Sequence, residues 1–281
     1  MRIANRLGRA VLLRDGLAFD LATVSDGAFG PDPMTPYRDW EAFVAAAPSF
    51  ALTDGEPFLP EELGPPVPAP SQVFAIGLNY RDHAAEANLD LPSDLIVFTK
   101  FASSLAGPNA AVALPSEHVD YETELVVVIG RRAHRIAATE GWDAVAGLCV
   151  GQDFSDRGVQ LRGPAPQFSL GKSFPGFGPF GPAVVTLDEV SDRDSLGVRA
   201  TLSRSGADPI PLQDGNTRDL IFDVPRIIAD LSQVVELAPG DLIFTGTPAG
   251  VGATRGLFLR EGDVVHSEID GLGRLENSFT S

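Results

Sequence analysis

The chain has 281 residues and a formal net charge of −17, from 38 acidic and 21 basic residues. Nucleic acid and anionic membrane surfaces repel such a polyanion, so neither is expected as a partner. The hydrophobic content of 44% is ordinary for a globular protein, and no apolar run reaches the length of a membrane span.

Ile3-Ala4 and Val11-Leu12-Leu13 suggest short strands, and Asp39 to Ala47 a short helix. The first residues are basic but lack a long apolar core and a cleavage site, so a cytoplasmic protein is expected. Cys149 is the single cysteine, which excludes an intramolecular disulfide. It lies between Leu148 and Val150 and reads as a core residue. Pro60 to Ser71 is a Pro-rich connector poorly suited to regular structure. It divides an expected small N-terminal domain, 1–65, from a larger one, 66–281.

From Gln72 onward short apolar runs alternate with Gly/Pro punctuation: Val73–Ile76, Leu95–Phe98, Leu125–Ile129, Ala183–Val185, Leu242–Phe244 and Val264-Val265. That spacing favours a β-rich domain over alternating βαβ units. Helical pattern is confined to Tyr80 to Glu86, Asp153 to Leu161 and Val224 to Gln233, with a weaker piece at Thr139 to Val145.

Five segments carry chemistry. His83 and Glu86 are spaced i,i+3 and would meet on one helical face, where a carboxylate can fix a histidine tautomer and raise its basicity; a surface pair is the plainer alternative. Asp120-Tyr121-Glu122-Thr123-Glu124 runs into the apolar Leu125–Ile129. On a strand Glu122 and Glu124 leave one face, their Cα atoms roughly 6.6 Å apart, close enough to share a divalent ion. The other reading is the polar, solvent-facing start of an edge strand. Asp153 would begin a helix carrying Arg157 and Gln160 along one face; it is either an N-cap paired with Arg157 or a third oxygen ligand. Lys172 sits in a loop crowded with Gly, Pro and Phe, suited to a substrate carboxylate or enolate or else simply exposed. Thr245-Gly246-Thr247-Pro248 could hold an anion but lacks the ending of a P-loop.

Taken together, Gly77-Leu78-Asn79-Tyr80…His83…Glu86, Asp120–Leu125, Gly151-Gln152-Asp153…Arg157…Gln160, Gly171-Lys172-Ser173-Phe174 and Pro239–Pro248 resemble the fumarylacetoacetate hydrolase-like family in order and spacing. The resemblance implies an α+β, mainly β fold: a mixed β-sheet roll with a small N-terminal domain, in a homodimer. It implies Glu122, Glu124 and Asp153 as ligands of Mg²⁺, with Mn²⁺ or Ca²⁺ also suited. His83 and Glu86 would be the general-base dyad on a mobile lid, with Lys172 assisting. Arg157 and Gln160 would grip the substrate and Thr247 close the pocket. The activity implied is hydrolysis of a carbon–carbon bond in a β-diketone or acylpyruvate-type 2-oxo acid via a metal-bound enolate. The alternative is an isomerase (tautomerase), decarboxylase or hydratase of a 2-oxo dicarboxylic acid in aromatic-compound catabolism. Pro175-Gly176 stands where many relatives carry Asp-Thr, a change that bears on substrate identity.

Overall fold

The computed structural model describes residues 1–281. The polypeptide is built on two main sheets, with a two-stranded ribbon pairing Val119-Asp120 with Ser155-Asp156. The strands of the larger are β1 (Arg2–Arg6), β2 (Arg9–Arg14), β3 (Leu17–Asp20), β4 (Glu56–Pro57), β5 (Val73–Gly77) and β6 (Ile96–Thr99). After β7 (Ala111–Ala113), which belongs to the smaller sheet, come β8 (Thr123–Ile129), β9 (Val145–Gln152) and β10 (Gly178–Val185). The smaller sheet continues with β11 (Gly197–Ser203) and β12 (Ile210–Asn216); β13 (Leu242–Phe244) returns to the larger one, and β14 (Val264–Ile269) and β15 (Gly273–Thr280) complete the smaller. The main path of the large sheet is β4-β3-β2-β1-β10-β9-β8-β13-β5-β6, and the small sheet runs β12-β11-β14-β15-β7. The mainly β, mixed-sheet expectation is met, since β13 and β5 pair in parallel among antiparallel neighbours. Residues before 65 share the large sheet, because Arg2 and Ile3 of β1 pair with Val185 and Val184 of β10. The connector is partly ordered too: Leu63 and Gly64 pair with Arg6 and Asn5.

The unbroken apolar run of β8 has a direct cause. Leu125, Val127 and Ile129 face one core, with Ile227, Ile228 and Leu231 of a helix; Val126 and Val128 face another, with Phe180, Phe244 and Cys149. A strand buried on both faces needs apolar residues at every position. The helices include α1 (Trp40–Ala46), α2 (Arg81–Glu86), α3 (Arg157–Gln160) and α4 (Val224–Ser232), besides short ones at Leu21–Val24, Thr35–Arg38 and Gly252–Arg255. The expected helix near 139–145 is a 3₁₀ segment, Ala138–Ala144. No helix is long and apolar enough to cross a membrane.

Candidate active site

Sheet topology assembles the site. Strand β8 is antiparallel to both β9 and β13, while β13 and β5 run parallel. The N-terminal end of β8 therefore lies beside the C-terminal ends of β9, β13 and β5. Every candidate residue but one leaves the sheet at this end: Glu122 and Glu124 as the chain enters β8, Asp153 with α3 after β9, Thr247 after β13, and α2 after β5. Lys172 joins them from the loop before β10.

Carboxylate oxygens of Glu122, Glu124 and Asp153 lie within 4.8 Å of one another, and all three residues are buried. Their cations are unevenly shared. Lys172 Nζ donates to Glu122 Oε2 and Asp153 Oδ2, each at 2.5 Å. Lys100 Nζ donates to Asp153 Oδ1 at 2.6 Å and also to the Lys172 carbonyl. Arg157 Nη2 reaches Glu122 Oε1 at 2.7 Å. Burial alone would raise the Glu122 carboxyl, but Lys172 and Arg157 outweigh it and hold it at about 2. Burial likewise would lower Lys172, and Asp153 and Glu122 reverse that, leaving it raised. For Lys100 burial prevails and its ammonium is lowered, with Asp153 opposing.

Glu124 is the exception. Its only hydrogen bond is from the Gly246 N–H, at 2.9 Å. Burial, then the neighbouring Asp153 and Glu122 charges, push it well above the usual carboxylate range. Gly246 can present its N–H because it holds φ 98°, a conformation L side chains rarely adopt; an added Cβ would also sit 2.8 Å from Asn79 Cβ. Three converging carboxylates, one of them without a cation, fit a divalent ion of the hard, oxygen-preferring kind, and the donor set suits Mg²⁺, Mn²⁺ and Ca²⁺ alike. The polar-strand-edge reading of Glu122 and Glu124 fails on their burial.

Several details differ from expectation. Asp153 does not begin a helix: it follows β9 directly, and α3 is capped by Asp156, which accepts from the Val159 N–H. Arg157 is therefore not its i,i+4 partner. The guanidinium instead clamps Asp120 Oδ2 through Nε and Nη2, at 2.8 and 2.6 Å, and donates through Nη1 to Gln160 Oε1 at 2.8 Å. Arg157 is thus largely engaged by protein acids, whereas Gln160 has an amide nitrogen left for a ligand. Thr247 lines the cavity, but its hydroxyl donates to the Thr123 carbonyl and accepts from Gln213. Pro175 is exposed and is not part of the cavity wall, so the Pro-Gly departure touches the site only through the course of its loop.

The histidine pair forms as spacing predicted. His83 Nδ1 lies 2.9 Å from Glu86 Oε1. A carboxylate can only accept, so Nδ1 carries the proton in that contact and Nε2 is left to exchange one. Glu86 is itself anchored: both its oxygens accept from the Gly250 N–H at 3.0 Å, and Thr254 donates to it at 3.1 Å. His83 shares one cavity of about 190 Å³ with Glu122, Glu124, Gln160, Lys172 and an apolar group that includes Phe98 and Phe168.

Lys100 and Asp120 complete the charge network and were not singled out for it. For Lys100 the signal was strand alternation. Phe98 points inward from β6 and Thr99 outward, so Lys100 must turn inward. For Asp120 no pattern announces the role, because its partners Arg157, Gly252 N–H and Ala253 N–H lie 37 to 133 residues away.

Comparison with known proteins bears on the family and the fold. Residues 72–280 match the family model for the fumarylacetoacetate (FAA) hydrolase C-terminal domain. The human mitochondrial oxaloacetate tautomerase FAHD2A is 40% identical over 254 residues, spanning 88% of this chain and 79% of that protein. A solved structure from Mycobacterium smegmatis, provisionally assigned as an HpcE protein, superposes with a TM-score of 0.93 at 46% identity, covering 100% of this chain and 99% of that one. A maleylpyruvate hydrolase from Sphingobium sp. SYK-6 superposes with a TM-score of 0.76 at 30% identity, covering 100% and 99%.

Proposed function

The chain belongs to the fumarylacetoacetate hydrolase family, and on that footing we propose that it interconverts the keto and enol forms of a small 2-oxo acid with a second carbonyl two carbons on. Oxaloacetate and the acylpyruvates make up that class. One observation carries the reading: the Glu86-anchored His83 opens into the same small cavity as the three-carboxylate cluster. Substrate polarised at one end of that cavity meets a proton carrier at the other.

A divalent cation held by Glu122, Glu124 and Asp153 would supply Lewis-acid polarisation of the 2-oxo group. The remaining work falls to side chains. The Gln160 amide donates to the substrate carboxylate. His83 Nε2 removes the proton from the carbon between the two carbonyls; the C–H electron pair becomes the new C=C bond, and the C=O π pair moves onto oxygen. The same nitrogen returns a proton to the opposite terminus, so no atom is gained or lost. Glu86 holds the imidazole in the tautomer that leaves Nε2 free, and stabilises the imidazolium between the two transfers. Lys172, already beside Glu122 and Asp153, offsets negative charge developing on oxygen.

A second reading has its own support. A histidine held this firmly by a carboxylate is also suited to activate water, and the maleylpyruvate hydrolase is among the structural neighbours. Attack of that water on the remote carbonyl, followed by carbon–carbon cleavage, would make the protein a hydrolase; loss of carbon dioxide would make it a decarboxylase. The test is to present Mg²⁺-loaded protein with enol-form oxaloacetate and with acetylpyruvate. Faster ketonisation with the carbon skeleton intact supports the tautomerase; pyruvate plus acetate, or released carbon dioxide, replaces it with the second reading. Ketonisation at the buffer rate for both substrates overturns it.

A homodimer is the assembly proposed. It is supported by a cleft of about 470 Å³ beside edge strand β6, where Phe74, Leu95, Val97 and Val234 lie together with the charged Arg226 and Asp230. Sedimentation at micromolar concentration checks it. Reducing conditions suit the lone buried Cys149.

A further inference from the structure

We propose that the substrate carries an apolar group, alkyl, alkenyl or aryl, on the side remote from its 2-oxo carboxylate, in place of a second carboxylate. The inference rests on the enol chemistry proposed above and narrows its substrate class. Polarity in the cavity changes with depth. The floor is charged and buried: Glu124 is 2% exposed, Lys172 2% and Gln160 5%. Lys172 Nζ then packs over the Phe98 ring, 5.0 Å from its centroid, and Phe98 meets Phe168 edge-on at 5.7 Å. Beyond these rings the wall ends in Ile96, 40% exposed, and Leu89, 56% exposed, at the mouth.

A ligand anchored by its 2-oxo carboxylate at the floor therefore points its other end along Phe98 and Phe168 toward Ile96 and Leu89. The lining cations do not serve that end. Arg157 is clamped by Asp120 and Glu122, Lys172 is fixed between Glu122 and Asp153, and His83 has Nδ1 on Glu86 and Nε2 assigned to the proposed proton transfer. A second carboxylate would lose hydration against two rings and two aliphatic side chains without gaining a partner, which is unfavourable. An apolar tail there instead removes both surfaces from water. Leu89 and Ile96, both lining the cavity and both exposed, offer the surface such a tail would cover.

The experiment has two arms on the Mg²⁺-loaded protein. In the first, kcat/KM is measured for acetyl-, butanoyl- and hexanoylpyruvate and for oxaloacetate. It should rise toward about fourfold per added methylene, the value for full burial, with oxaloacetate below the longer acylpyruvates. In the second, calorimetry compares N-methyl and N-butyl oxamate, unreactive mimics of the 2-oxo carboxylate, and the longer chain should bind more tightly by a similar factor per carbon. Leu89→Ser and Phe168→Ser should flatten both series. Equal binding of the two oxamates, or a preference for oxaloacetate over hexanoylpyruvate, overturns the apolar group. Absence of turnover with every substrate while the oxamate series still rises overturns the enol reaction and leaves the apolar wall standing.

Discussion

Replacing Glu124 with Gln should make the metal-free protein more stable and nearly blind to Mg²⁺. The cluster sets four buried carboxylates, Asp120, Glu122, Glu124 and Asp153, against three cations, Lys100, Arg157 and Lys172. One negative charge is left over, and Glu124 is the carboxylate that no cation touches. With carboxylate oxygens as far as 4.8 Å apart, each like-charge pair costs about 3 kcal/mol at an effective dielectric near 20. Attraction to Lys172 returns part of this, so Glu124→Gln should gain on the order of 2 kcal/mol, roughly 4 °C in Tm for a chain of this length. The amide oxygen can still accept from Gly246 N–H, so the fold has no reason to change. Mg²⁺ at a hundred times its Kd should stabilise the wild type by about 2.7 kcal/mol and the variant far less. The pH dependence follows from the sign of the shift. Glu124 has a folded pKa raised above its unfolded value near 4.5. Its contribution is fully present below the unfolded value and is lost as pH rises through the raised one. Metal-free wild type should thus lose stability on that climb, and the variant should not. Thermal unfolding across pH, with and without Mg²⁺, reads all three effects. A metal-free variant less stable than wild type, or an equal Mg²⁺ response in both, would refute the charge argument.

His83→Ala should lower turnover by about 10²- to 10⁴-fold while leaving Mg²⁺ affinity by calorimetry within a few-fold, since the proposed reading places His83 in the proton path and it is not one of the clustered carboxylates; a retained rate would move catalysis to another base. Lys100→Met keeps the volume but strips Asp153 of one buried partner, and should cost about 3 kcal/mol in chemical denaturation without metal. An unchanged midpoint would show that Lys100 carries no charge there. Gly246→Ala places a side chain at φ 98° against Asn79 and the Ile76 carbonyl. It should cost about 1–3 kcal/mol and turn the amide away from Glu124, a loss that Mg²⁺ titration separates from simple destabilisation by showing weaker binding.

What could be read from the chain and what could not divides by range. Glu122, Glu124, His83 and Glu86 were legible because strand alternation and helical spacing act over two or three residues, and the dyad closes at 2.9 Å as spacing requires. The mainly β fold was legible for the same reason. Arg157 shows where this reasoning stops: helical periodicity placed it on Asp153, yet the helix starts four residues later and the guanidinium turns to Asp120, 37 residues back. Periodicity describes a segment's own faces and is silent on which distant carboxylate is nearest. That choice is made by sheet topology, which sets the start of β8 beside the end of β9. The consequence is functional. With Arg157 committed to Asp120 and Glu122, that charge positions the acid cluster, and on the proposed reading recognition of substrate would pass to Gln160 at the floor and to Phe98 and Phe168 above it. A site that a list of charged residues would assign to a doubly anionic substrate is, in three dimensions, charged at one end only.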